Sequence, residues 1–175
     1  MKELLQSTRQ AFQKNQQNTL KQISNRAIEQ AVLKDNPPLV SLSIVSYALY
    51  KLLTKAHYYK SPKWNKFRDQ VDKHLKESVE NTEKAEELLG KVMEDILSLD
   101  EEHNRFSQHL IDKARVKQAS RAYSLGVSLE TAIKLTKANR FQVYEYVGRT
   151  KIHERMPKEN VSARYAHTEK VLGGD

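Results

Sequence analysis

The sequence predicts an all-α protein, an N-terminal helical bundle followed by a C-terminal segment of three short helices. Three observations carry this. Apolar residues recur at helical spacing over most of the chain, as in Leu20, Ile23, Ala27, Ile28, Ala31 and Val32. Glycine and proline number five and four in 175 residues, which leaves little room for a turn-rich β protein. The most apolar run, from Leu39 to about His57, is longer than a strand needs and is apolar nearly all round, the pattern of a helix buried at the centre of a bundle.

Residues 1–36 are rich in Gln and Asn. One buried stripe is clear from Leu20 to Val32. Before it, Leu4, Leu5, Ala11 and Phe12 give a thin pattern, read as a frayed helix or an arm. Asp35-Asn36-Pro37-Pro38 ends the element, because two prolines cannot continue a helix. After the central helix, His57-Tyr58-Tyr59-Lys60 reads as a connector, with Ser61 as cap and Pro62 at the first helical position of the next element. Trp64, Phe67, Val71, Leu75 and Val79 then fall on one face. Asn81-Thr82 opens a further helix with Leu88, Leu89, Val92, Met93, Ile96 and Leu97 inward. Ser98 to Glu102 is either a break or a direct passage into a helix marked by Phe106, Leu110, Ala114 and Ala119, which could run unbroken into the basic segment. The chain divides on this reading into a bundle at 1–105, a basic segment at 106–156 and a tail at 157–175. In the tail Pro157 interrupts, Asn160 can cap a short helix through Val161, Tyr165 and Val171, and the Gly173-Gly174-Asp175 end is expected to be mobile.

The stretch Val116 to Ile152 organises the functional reading. Its first helix is basic and ends at Leu125-Gly126, since glycine takes the left-handed C-cap conformation without a Cβ clash. Ser128 offers a hydroxyl to the free amides of the next helix, Leu129 to Lys137. Asn139 makes the next break, and the third helix runs from Arg140 to about Ile152.

The run Ala122-Tyr-Ser-Leu-Gly126-Val127-Ser128-Leu-Glu-Thr131-Ala132 resembles the helix-turn-helix signature of many repressors. A small residue lets two helices cross, glycine turns the chain, and Val127 plugs the core. A second register also fits, with Ala132, Thr136, Ala138, Val143 and Tyr146 at the buried positions and Asn139-Arg140-Phe141-Gln142-Val143-Tyr144 opening the recognition helix. The second register has Lys137 where the turn glycine belongs, and the first has Arg121 where an apolar residue is usual. Both stay open. The resemblance covers roughly a fifth of the chain and implies a helix-turn-helix-like three-helix segment that docks a helix in the DNA major groove. Ser128, Glu130, Thr131 and Lys134 would face the groove in the first register, and Asn139, Arg140 and Gln142 in the second. Arg115, Lys117, Arg121, Lys137, Arg149, Lys151 and Arg155 would contact phosphates.

Charge bears on the same segment. Residues 113–174 hold 13 basic and five acidic residues, so the net +8 of the whole chain is concentrated there. Lysine and arginine release counterions from a phosphate backbone, which supplies affinity independent of sequence. Duplex DNA is the expected partner ahead of RNA, with the bundle dimerising or sensing a partner. A different class of function is a helical adaptor using segregated charge, since residues 77–112 carry eleven acidic and three basic residues and suit an electrostatic dock with a protein partner. Residues 51–76 hold eight basic residues among Tyr58, Tyr59, Trp64 and Phe67, a pattern that can stack single strands. The spacing of Trp64 and Phe67 with Val71 and Leu75 favours a core role instead.

Chemistry is poorly represented. No cysteine is present, so disulfides and thiol catalysis are excluded and a cytoplasmic location is expected. The start lacks a signal-length apolar core, and Leu39 to Leu53 is too short and too polar to span a bilayer. Asp100, His103 and His109 form the one local cluster of ligand types, too few for a metal site, and no cofactor is implied. Gly90-Lys91 lacks the phosphate-loop glycines, no serine sits in a nucleophile elbow, and adjacent carboxylates such as Glu86-Glu87 point apart. An enzyme is not expected.

Overall fold

The computed structural model describes residues 1–34, 36–101 and 109–149, and it is all-helical. Nine α-helices run in order among the described residues: α1 (Lys2–Gln13), α2 (Gln17–Lys34), α3 (Pro37–Leu53), α4 (Ala56–Tyr59), α5 (Trp64–Glu80), α6 (Ala85–Glu101), α7 (Leu110–Ser124), α8 (Leu129–Thr136) and α9 (Arg140–Arg149). They form a helical bundle. Both the expected boundary near 105 and the tail at 157–175 fall outside the described residues, as does Phe106.

The thin pattern at the start makes a regular helix rather than an arm. Leu4, Leu5, Thr8, Ala11 and Phe12 of α1 are all buried. Thr8 completes the stripe because its hydroxyl donates to the Leu4 carbonyl at 2.8 Å, so a polar residue sits in the core with its hydrogen bond made. α1 lies antiparallel to α5. Phe12 meets Phe67 edge-on, and Arg9 grips Asp72 with two bonds of 2.8 and 2.9 Å. The chain leaves α1 through Asn15, whose φ of 51° is left-handed, a conformation asparagine tolerates better than most residues.

The two prolines start α3 as well as ending α2. Asn36 caps α3 by accepting from the Leu39 amide, and Pro37 occupies the first turn, where a missing amide hydrogen costs nothing. α3 is the expected central post: eleven of its residues are buried, and it packs against α2, α6 and α7. α2 runs antiparallel to it, with Gln17 bonded to the Leu53 carbonyl and Ser24 to that of Ser43. The expected connector at 57–60 is largely the one-turn helix α4, with Tyr58 fully buried. α5 begins at Trp64, later than the Ser61 cap predicts. The Ser61 hydroxyl accepts from the Lys63 amide and closes a turn ahead of the helix. Trp64 and Phe67 are core residues, as their spacing required. Asn81 accepts from the Lys84 amide and opens the 3-10 turn (Thr82–Lys84) that leads into α6.

α7 is a separate helix. His109 is extended (φ −61°, ψ 149°), so no continuous helix joins α6 to the basic segment. Its first turn is held by a residue from α6: the Asp100 carboxylate accepts from the Leu110 amide at 2.8 Å and also from the Tyr58 hydroxyl. Once in place α7 is mostly interior. Ala114, Gln118, Ala119, Ser120 and Ala122 are all buried. Gln118 donates to the Ser24 hydroxyl at 2.7 Å, and Ser24 donates to the Ser43 carbonyl at 2.9 Å, so one buried polar chain ties α7 to α2 and α3. α7 meets α2, α3 and α6 as well as α8 and α9, and a single hydrophobic cluster runs from Leu4 to Val143.

Candidate nucleic-acid interface

Helices α7, α8 and α9 make the two corners that the sequence predicts. At the first, Gly126 has φ 99°, a value open to glycine and rare for residues with a Cβ. Ser128 then caps α8, accepting from the Thr131 amide at 3.1 Å. Ala122 and Ala132 are fully buried where α7 and α8 meet, and Val127 packs partly buried against the core.

At the second corner the left-handed residue is Lys137 (φ 53°), two positions before Asn139. The Ala138 amide donates to the Ile133 carbonyl and the Lys137 amide to that of Lys134. These are the two bonds of a Schellman ending, which usually has glycine where Lys137 stands. Asn139 acts as the cap of α9, its side chain accepting from the Gln142 amide at 3.2 Å. The burial pattern matches the second register. Ala132, Thr136, Ala138 and Val143 are buried, and Tyr146 is partly buried against the core. The Thr136 hydroxyl is satisfied by the Ala132 carbonyl at 2.8 Å.

The candidate residues divide by where they stand. Lys134 on α8, Lys137 and Asn139 at the corner, and Arg140 on α9 are exposed; Lys134 and Lys137 border a groove with α3 and α6, whereas Arg140 reaches Glu130. Phe141 is 83% exposed and Tyr144 49%, so α9 presents two exposed aromatic rings. Neither ring was singled out from the sequence. Their placement one turn apart, opposite the buried Val143, is the signal that could have found them. Glu130 accepts from Arg140 and, at 3.0 Å, from the Tyr144 hydroxyl. The Arg140 bond holds the Glu130 carboxyl below its ordinary range, with Tyr144 adding to it, and the same contact raises Arg140.

Other candidates stand elsewhere. Ser128 and Thr131 share a hydroxyl contact at 2.7 Å in the cap of α8. Arg121 is half-buried and donates to Glu29 of α2 at 2.6 Å, which explains a charge at a position where the signature expects an apolar residue. Arg115 lies 3.7 Å from Asp112, and Arg149 pairs with Glu145 along its own helix. Lys151, Arg155 and the end of the third helix lie outside the described residues.

Gln142 faces a cavity of about 410 Å³ between α3, α7 and α9. Its side-chain oxygen is buried and accepts no hydrogen bond. Lys117 crosses the same space, donating to the Tyr146 hydroxyl at 2.9 Å with its ammonium 5.3 Å from the ring centre. Burial pushes the Tyr47 phenol up to about 12.

Among the described residues no group of three or more His, Asp or Glu gathers to hold a metal, and no helix is long and apolar enough to cross a membrane. Asp100, which the sequence placed in a candidate cluster, is committed to Leu110 and Tyr58, with His109 at 3.8 Å. Comparison with known protein families, curated proteins and solved structures found no match to this chain.

Proposed function

We propose that this protein binds duplex DNA as a transcriptional regulator, docking α9 in the major groove in the second of the two registers. The observation that carries the reading is the exposure, around the second corner, of Lys134, Lys137 and Arg140 together with Phe141 and Tyr144 of α9. In this reading Lys134 and Lys137 neutralise phosphates, and Arg140 reaches a base edge or a phosphate after exchanging its contact with Glu130. Phe141 offers an apolar face of the kind that meets a thymine methyl. Asn139, engaged as a cap, orients the start of α9. Gln142 and Arg121 act in support, since both are turned toward other helices.

The test is fluorescence anisotropy with a labelled duplex at low salt, comparing the wild type with Lys134→Ala/Arg140→Ala. Binding that the double variant weakens at least tenfold supports the reading. Absence of binding, or affinity that the double variant leaves untouched, removes it. An RNA duplex as competitor separates RNA from DNA.

One observation favours a second reading. A phenylalanine as exposed as Phe141 is also what a protein-docking surface presents. A helical adaptor would use the same surface against an acidic protein partner. Recovery of one acidic protein after nuclease treatment, lost with Phe141→Ala, would favour it.

A further inference from the structure

α9 has an outward face that its packing against the bundle does not use. At about 100° per residue, Phe141, Tyr144 and Gly148 fall on one side of the helix, turned away from the fully buried Val143. Glu145 shares that side, its carboxylate paired with Arg149. The two rings differ. The Tyr144 hydroxyl is drawn to Glu130 of α8 at 3.0 Å, and its ring is the less open. Phe141 has no polar atom to tie it down and is the most exposed of the large apolar residues. Gly148 adds no bulk. A Cβ there would meet nothing within 4 Å, so the face ends in bare backbone that a surface can approach closely.

The groups that DNA offers to such a face are few in kind. Phosphates are alike at every step and give affinity without preference. Base edges in the major groove present donors and acceptors, none of which a phenyl ring can satisfy, and one apolar group, the 5-methyl of thymine. Phe141 is the second residue of α9, next to the exposed Arg140, so a helix that enters the groove by this end brings the ring to the base edges.

We propose that Phe141 makes the α9 interface selective for thymine, by packing its ring on the 5-methyl groups of A·T pairs in the major groove. The proposal rests on the DNA reading above and adds which bases that site prefers. A ring can also meet nucleic acid by stacking on an unpaired base. Thymine and uracil then count nearly alike, because both offer a π-face. The methyl group therefore separates groove contact from stacking.

The experiment is fluorescence anisotropy of the full chain at low salt with two labelled duplexes. One is an alternating A·T sequence. The other is the same sequence with every thymine replaced by uracil, which removes the methyls and keeps every phosphate and hydrogen-bonding group. A methyl withdrawn from water is worth about fourfold in affinity, so the thymine duplex is expected to bind about fourfold more tightly or better. Phe141→Ala should bring the two affinities together. Gly148→Leu, which puts a side chain on the approached face, should weaken both. Phe141 and Gly148 are exposed, so both changes spare the core, and thermal unfolding confirms that each variant folds. Equal binding of the two duplexes by the wild type overturns thymine selectivity and leaves the DNA reading standing. A preference that survives Phe141→Ala overturns it too, since another residue would then read the methyls. Affinities untouched by Gly148→Leu would put the DNA against a different face and overturn it likewise. Absence of binding to both duplexes removes the proposal together with the DNA reading.

Discussion

Replacing Lys137 with glycine should make the protein more stable and, if the proposed interface binds DNA, should weaken that binding. Lys137 ends α8 with φ 53°, where its Cβ crowds the backbone. That conformation costs an L-residue roughly 1–2 kcal/mol, and glycine avoids the cost. Glycine in turn gives up about 0.5–1 kcal/mol through the greater freedom of the unfolded chain. The difference leaves a gain of about 0.5–1 kcal/mol. In a chain of this size 1 kcal/mol moves Tm by about 2–4 °C, so Lys137→Gly should raise it by about 1–4 °C. The control is Lys137→Ala. It removes the same charge but keeps the Cβ, so its Tm should stay within about 1 °C of the wild type. Scanning calorimetry of the three proteins measures this. In a salt titration of duplex binding, both variants should lose about 0.9 from the slope of log K against log salt, the share of one phosphate contact. A glycine variant no more stable than the alanine variant would refute the strain argument. Slopes unchanged in both would remove Lys137 from the interface.

Three further outcomes follow from the same geometry. Asp100→Ala strips the acceptor from the Leu110 amide and the Tyr58 hydroxyl, in a side chain only 8% exposed. With each orphaned donor costing about 1–3 kcal/mol, denaturant unfolding should show a loss of about 2–4 kcal/mol, and a loss below about 1 kcal/mol would count against this capping role. Glu130→Gln removes the charge that holds Arg140 and should tighten duplex binding a few-fold in anisotropy, whereas unchanged or weaker binding would mean that the pair orients Arg140 for contact. Tyr47 ionises near pH about 12 in the folded chain, above the ordinary tyrosine value of about 10. Its contribution to stability is therefore complete below pH about 10 and is lost as pH rises toward about 12. Tyr47→Phe should flatten the fall of the denaturation midpoint across that window, and an unaltered fall would refute the assignment.

Much of the bundle was legible because single helices carried their own signals. The Leu20–Val32 stripe, the all-round apolar α3 and the Trp64–Leu75 face each specify burial through local spacing. Gly126, Ser128 and Asn139 punctuate the last three helices because their side chains, or the lack of one, satisfy helix ends. What escaped depends on bonds and backbone conformations that apolar spacing does not show. Thr8 hides the stripe of α1, since a hydroxyl reads as polar until its bond to Leu4 is seen. Gln118 and Arg121 make α7 look like a surface helix, yet both are matched by Ser24 and Glu29 of α2. Lys137 is no turn residue by composition, and the buried Thr136 and Ala138 either side of it, rather than its own preference, accompany its left-handed backbone. The cavity draws from 47–55, 113–117 and 142–149, and no local pattern links those stretches.

The position of α7 decides how the last three described helices are held to the bundle. An independent reading head would turn a polar side toward the rest of the chain and hold its three helices together by their own core. Here α7 belongs to both parts: Gln118 bonds into the α2–α3 pair, while Ala122 lies where α8 packs and Lys117 reaches Tyr146 of α9. A helix shared in this way cannot shift without breaking the buried Gln118–Ser24–Ser43 chain. α9 is held differently. Val143 is its one fully buried residue, and much of its remaining inner side borders the cavity. Among the described helices α7, α8 and α9, α9 is thus the one with the fewest buried residues.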